Sequence, residues 1–136
     1  MRYLLDTNIC IYIIKRSPAH VHERFTHLSV GDIGVSSITF CELQFGVSNS
    51  ANPEKNQFAL TEFLGPLDVL DFPSGAALPY GEIRAHLQRM GTPIGSYDLL
   101  LAAHALYLNL IMVTNNTKEF TRVPGLKVEN WTLPTK

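Results

Sequence analysis

The chain has 136 residues, 46% apolar and 17% charged, which suits one folded domain with a buried core and excludes a disordered or low-complexity polymer. Its formal charge of -1 gives no global basic footprint, so contact with an anionic polymer must rest on local basic residues. Cys10 and Cys41 lack the paired spacing of a zinc site and read as reduced, packed thiols.

Met1-Arg2 runs straight into a strand at 3–5, which leaves no room for a targeting segment and predicts a cytoplasmic protein. Asp6 follows that strand. A helix is expected over 8–15 and another after Ser17-Pro18, with the proline in its first turn. Residues 33–36 read as a strand, 37–47 and 53–64 as helices, and 69–72 as a third strand. A long helix over 74–90, irregular at Pro79 and Gly81, stops near Gly91 ahead of Thr92-Pro93.

Ser96 is a suitable N-cap for the apolar helix that follows, with Asp98 in its first turn. The run from Leu99 to Leu108 is far shorter than the roughly 20 residues needed to cross a bilayer, so it reads as a core helix in which His104 is a satisfied core histidine. Strands at 110–114 and 127–129 complete the order, and the last few residues are expected as a flexible tail of a single domain spanning 1–136.

Nearly all-apolar strands alternating with helices predict an α/β fold with a parallel sheet of about five strands, covered on both faces. In such sheets ligands bind beyond the carboxyl ends of the strands, where strand order reverses. Asp6 and the stretch Thr114-Asn115-Asn116 end two strands and belong to that edge.

Three acids stand in apolar or helix-starting surroundings: Asp6 after Tyr3-Leu4-Leu5, Glu42 among Phe40, Cys41, Leu43 and Phe45, and Asp98 in "IGSYDLLLAAHAL". Singly, each has a plain structural role as cap, solvated helix position or macrodipole partner. No Lys or Arg lies within three residues of any of them, and Arg2, four before Asp6, is separated from it by the strand, so local ion pairs do not account for the set. Clustered carboxylates repel one another unless a cation compensates, and Mg²⁺ or Mn²⁺ is the hard ion that oxygen ligands select. A helix N-terminus should also help keep Asp98 ionised. Such an ion suits phosphodiester hydrolysis, with Asn116 adding a neutral oxygen and an amide donor at the same edge.

With "LLDTN", "SSITFCELQFG", "GTPIGSYDLLLAAHAL" and "IMVTNNTKEFTRVPGLKVENW" in view, the chain resembles the VapC-type toxins of the PIN-domain ribonucleases over residues 3–131. The resemblance implies a three-layer α/β/α sandwich with a Rossmann-like sheet and a Mg²⁺- or Mn²⁺-dependent endoribonuclease. It also implies a homodimer and a small VapB-like, DNA-binding antitoxin that holds the toxin inactive. Carried over by residue, Asp6 and Asp98 match the metal-binding aspartates and Glu42 the middle acid. Where many PIN domains place an acid after the strand-four threonine, this chain has Asn115-Asn116, with Glu119 the nearest acid. Which of Asn116 and Glu119 takes that role, and whether one metal or two bind, is open at this point. The wording "DTNICIYIIK" and "VTNNTKEF" is similar to members that cut initiator tRNA in the anticodon loop.

Lys118, Arg122 and Tyr97 are the candidates for RNA contact, the first two for phosphates and the last for stacking on an unpaired base. His20, His22, His27, His86 and His104 show no ligand spacing with the acids. Two other classes compete. A receiver-like Mg²⁺-binding signalling domain would need paired acids after strand one and a phospho-accepting Asp71. A non-catalytic RNA- or protein-binding PIN module would account for Asn116.

Overall fold

The computed structural model describes residues 1–133; the expected tail at 134–136 lies outside the described residues. Tyr3–Leu5 forms β1, and its alternation feeds two cores. Tyr3 and Leu5 join one cluster with Ile9, Ile13, Val21, Leu43 and Leu60, while Leu4 joins the other with Ile83, Leu87, Leu101 and Met112. A strand buried on both faces has no polar side to show, which is why it reads as a plain apolar run.

The other strands are β2 (Ile33–Ser36), β3 (Asp68–Leu70), β4 (Ile111–Val113) and β5 (Val128–Glu129), in the order β3-β2-β1-β4-β5. Every pairing is parallel, with Tyr3 opposite both Ile33 and Ile111. Four helices contribute to the first cluster: α1 (Thr7–Lys15), α2 (Ala19–Thr26), α3 (Ser37–Ser48) and α4 (Pro53–Leu64). Three build the second: α5 (Ala77–Arg89), α6 (Ser96–Leu108) and α7 (Thr117–Phe120). Helices on both faces of a parallel sheet make the three-layer α/β/α sandwich that the sequence led us to expect.

Several local expectations shift by a residue or two. Gly95, not Ser96, is the N-cap of α6: its carbonyl already accepts the Leu99 N–H, so Ser96 is the first helical residue and caps nothing. Pro18 is extended and forms the N-cap of α2 rather than part of its first turn. The segment expected as one helix over 74–90 begins as a 3₁₀ turn, Ser74–Ala76. Pro79 sits in the first turn of α5, where its missing N–H costs nothing. Strand β3 is shorter than expected and leaves Asp68 and Val69 exposed at the sheet edge. The Phe72 N–H turns away to the Ser37 hydroxyl at 3.0 Å.

Cys10 is buried and its thiol pKa is pushed up by that burial, but Cys41 is exposed on α3 and packs nowhere in the core. His104 is fully buried, yet only half satisfied. Its Nδ1 lies 3.0 Å from the Ser36 hydroxyl, while Nε2 has no partner among the described residues. Among the described residues no helix is long and apolar enough to cross a membrane.

Candidate active site

Strand order reverses between β1 and β4, which marks the edge beyond the carboxyl ends of these neighbours as the place for a site. Asp6 leaves β1 directly at that edge. The residue is both a cap and more than a cap. Its Oδ1 accepts the Thr7 N–H at 2.7 Å, starting α1, and its Oδ2 accepts the Thr114 hydroxyl at 2.7 Å from the end of β4. Burial raises the Asp6 pKa and outweighs the two hydrogen bonds, which favour the ionised form.

Glu42 projects from α3 and accepts the Thr7 hydroxyl at 3.4 Å, so its partner comes from 35 residues away and not from its own helix. Burial raises its pKa as well, opposed by Thr7 and aided by the charge on Asp6. Its apolar neighbours, whose composition suggested a buried setting, mostly face outward. Phe40 and Phe45 are 37% and 68% exposed, Cys41 is exposed, and of the four only Leu43 is buried.

Asp98, in the first turn of α6, accepts the Asn116 amide at 3.1 Å, and the same amide donates to Glu119 at 2.5 Å. The Asn116 N–H is held by the Thr114 hydroxyl at 2.9 Å. One short turn therefore joins Asp6, Asp98 and Glu119. Burial, then the hydrogen bond with Glu119 and the charges of Asp6 and Glu119, push the Asp98 pKa up to about 7, against the pull of Asn116. Desolvation and like charge here outweigh the help that the helix N-terminus was expected to give toward ionising Asp98. Glu119 moves down, mainly through its hydrogen bonds with Asp98 and Asn116, so the two carboxyls titrate as a coupled pair that shares a proton.

Glu119 and the hydroxyls of Thr7 and Thr114 are the functional groups that acid counting undervalued. The signal for Glu119 was its spacing of three from Asn116, one helical turn. Of the candidate RNA contacts, Tyr97 is 59% exposed beside Asp98 and Lys118 is exposed on α7. Arg122 is half-buried, donates to the Pro93 carbonyl at 3.0 Å and faces Glu119. None of the histidines enters the hydrogen bonds of the acids, and Asp71 stands exposed beyond β3.

The donors gathered here are all oxygens, which suits a hard divalent cation. Among the described residues, no three His, Cys, Asp or Glu side chains form a ready-made cage. Asp6, Glu42 and Asp98 thus share one edge without converging on a single point, and an ion between them would have to complete its shell with water and phosphate oxygens.

Acids gathered at the switch-point edge of a parallel sheet define a class, and comparison with known proteins supplies the same one. The PIN domain family model matches residues 3–126. A "tRNA(fMet)-specific endonuclease VapC" of Salmonella typhimurium is 45% identical over 131 residues, covering 96% of this chain and 98% of its own. A "Ribonuclease VapC2" of Rickettsia felis is 46% identical over 132 residues, with 96% and 98% covered. Among solved structures, VapBC2 from Rickettsia felis bound to a promoter DNA fragment superposes with a TM-score of 0.90 at 44% identity, over 96% of this chain and 99% of that one. The chain belongs to the PIN-domain family and, within it, to the VapC ribonucleases. It is an endoribonuclease of the toxin class, and PIN-domain nucleases act with a divalent metal.

Proposed function

We propose that this chain is a cytoplasmic VapC toxin, one domain over 1–136, that hydrolyses initiator tRNA in the anticodon loop. It is restrained by a VapB-like, DNA-binding antitoxin and works as a homodimer. The observation that carries the reading is the single turn Thr114-Asn115-Asn116, which bonds Asp6 on one side and Asp98 with Glu119 on the other. Relatives named for tRNA(fMet) and neighbours solved as VapBC complexes support the substrate and the partner.

Asp6, Glu42 and Asp98 would hold Mg²⁺, or Mn²⁺ in its place, with Asn116 and Glu119 bordering Asp98. When bound, the ion supplies positive charge against the phosphate and acidifies the attacking water. Thr114 and Thr7 hold the Asp6 oxygens in fixed directions, so no reorganisation is needed when substrate arrives. Thr7 also tethers Glu42 to the same spot. Asn116 keeps Asp98 and Glu119 within reach of one another, and Glu119 restores a carboxylate where an asparagine replaces the family's acid; this favours turnover over a non-catalytic module. Tyr97 and Lys118 lie on the rim, suited to a splayed base and a phosphate.

The test is cleavage of an initiator tRNA transcript against an elongator tRNA, in Mg²⁺ and in EDTA. Wild type cuts the initiator in Mg²⁺ alone, while Asp6→Asn and Asp98→Asn fold and do not cut. Undiminished cleavage by either variant refutes the site, and equal cleavage of both tRNAs refutes the substrate.

A further inference from the structure

Between Thr114, which holds Asp6, and Asn116, which holds Asp98, stands Asn115, a residue with no part in the acid network. Its Nδ2 donates to the Tyr12 hydroxyl on α1 at 3.1 Å, and its Oδ1 is buried with no partner among the described residues. Three consecutive side chains thus fasten one turn to three places: the end of β1, the middle of α1 and the start of α6.

The hydrogen-bond pattern argues against a purely stabilising role for the middle fastening. One neutral hydrogen bond between half-buried side chains adds little to the stability of a whole domain. A pair that contributes so little net stability, placed between the two anchors of a site, has its effect through geometry. Without it the turn keeps its backbone ties, the Thr114 N–H to the Glu129 carbonyl at 3.0 Å and the Phe120 N–H to the Asn116 carbonyl at 3.3 Å, but loses, among the described residues, its one side-chain tie to a group outside the acid network, and Asn116 gains freedom to rotate with the acids it carries.

We infer that Tyr12 and Asn115 are positioning residues for phosphodiester cleavage: their hydrogen bond pins the Thr114–Asn116 turn to α1 and thereby sets Asp6 and Asp98 relative to one another. This rests on the site proposed above. Neither residue touches the reacting phosphate.

The experiment uses purified full-length chain, an initiator tRNA transcript and Mg²⁺, and measures kcat and KM separately together with the melting temperature. Tyr12→Phe deletes one oxygen, Asn115→Ala deletes the amide, and the double variant closes the cycle. Each single variant is expected to lose three- to tenfold in kcat with KM unchanged and with a melting temperature close to wild type. The double variant is expected to lose no more than the larger single loss. Tyr12→Phe within twofold of wild-type kcat overturns the inference, as do multiplying losses or a loss confined to KM. So does a kcat loss that tracks a fall in melting temperature, which would mark a merely structural pair. Should Asn115→Ala fail to fold, Tyr12→Phe alone decides through the kcat, KM and melting criteria. Asp6→Asn runs alongside. If it is inactive while Tyr12→Phe is wild-type, only the positioning inference fails; if it still cuts, the site fails and the inference with it.

Discussion

Replacing Asp98 by Asn should make the metal-free protein more stable and the enzyme inactive. In the folded chain the Asp98 pKa stands at about 7 against an ordinary 3.8, a difference worth about 4 kcal/mol if it were all paid on ionisation in place. Asp98 is only partly buried, and part of the displacement is matched by Glu119 moving the other way, so we take about 1–2 kcal/mol as the net cost. The sign follows from proton counting. Between about pH 4 and pH 7 the unfolded chain has released this proton and the folded chain keeps it, so stability falls as pH rises through that window and levels off above it. Asparagine imitates the protonated acid, accepting from Asn116 and donating to Glu119, and carries no such slope. Urea unfolding in EDTA at pH 4.5, 6 and 8 should show the variant drawing ahead of wild type to about 1–2 kcal/mol, or about 3–8 °C in melting temperature. Adding Mg²⁺ at pH 8 should stabilise wild type and leave the variant unmoved. Parallel stability curves across the three pH values would refute the reasoning.

Other consequences concern the same site and the sheet beneath it. Thr114→Val keeps the side chain's shape but removes the donor to Asp6 and the acceptor for Asn116. It should raise the Mg²⁺ concentration for half-maximal cleavage about tenfold, and Thr114→Ser should recover most of the loss. Because Asp98 ionises only near pH 7, Mn²⁺ binding followed by calorimetry should tighten from pH 6 to pH 8 and release a proton at the lower pH; equal affinity at both would contradict the shared proton. Leu4→Ala opens a cavity in the second core cluster under β1 and should cost about 2–5 kcal/mol in urea unfolding.

Much of this molecule is readable residue by residue. The five strands and the alternating helices follow from apolar runs and turn residues, because a parallel sheet covered on both faces leaves its strands no polar side. Asp6 could be placed at the sheet's carboxyl edge because it ends the first such run. Less could be read where a residue's surroundings come from elsewhere in the chain. The apolar neighbours of Glu42 suggested burial, yet Phe40, Cys41 and Phe45 face outward. Its partner, Thr7, arrives from a different helix.

The sequence by itself determined the layered α/β fold and the switch-point edge, because local periodicity and strand-end position depend on neighbours in the chain, and it offered Asp6, Glu42 and Asp98 as the candidate acids. Only the tertiary structure decided what holds those acids. It brought Thr114 to Asp6 across 108 residues, set Asn116 between Asp98 and Glu119, tied Asn115 to Tyr12, and moved the Asp98 proton to near neutrality. Burial and the charge of distant partners govern those properties, and both exist only once β1 and β4 lie side by side.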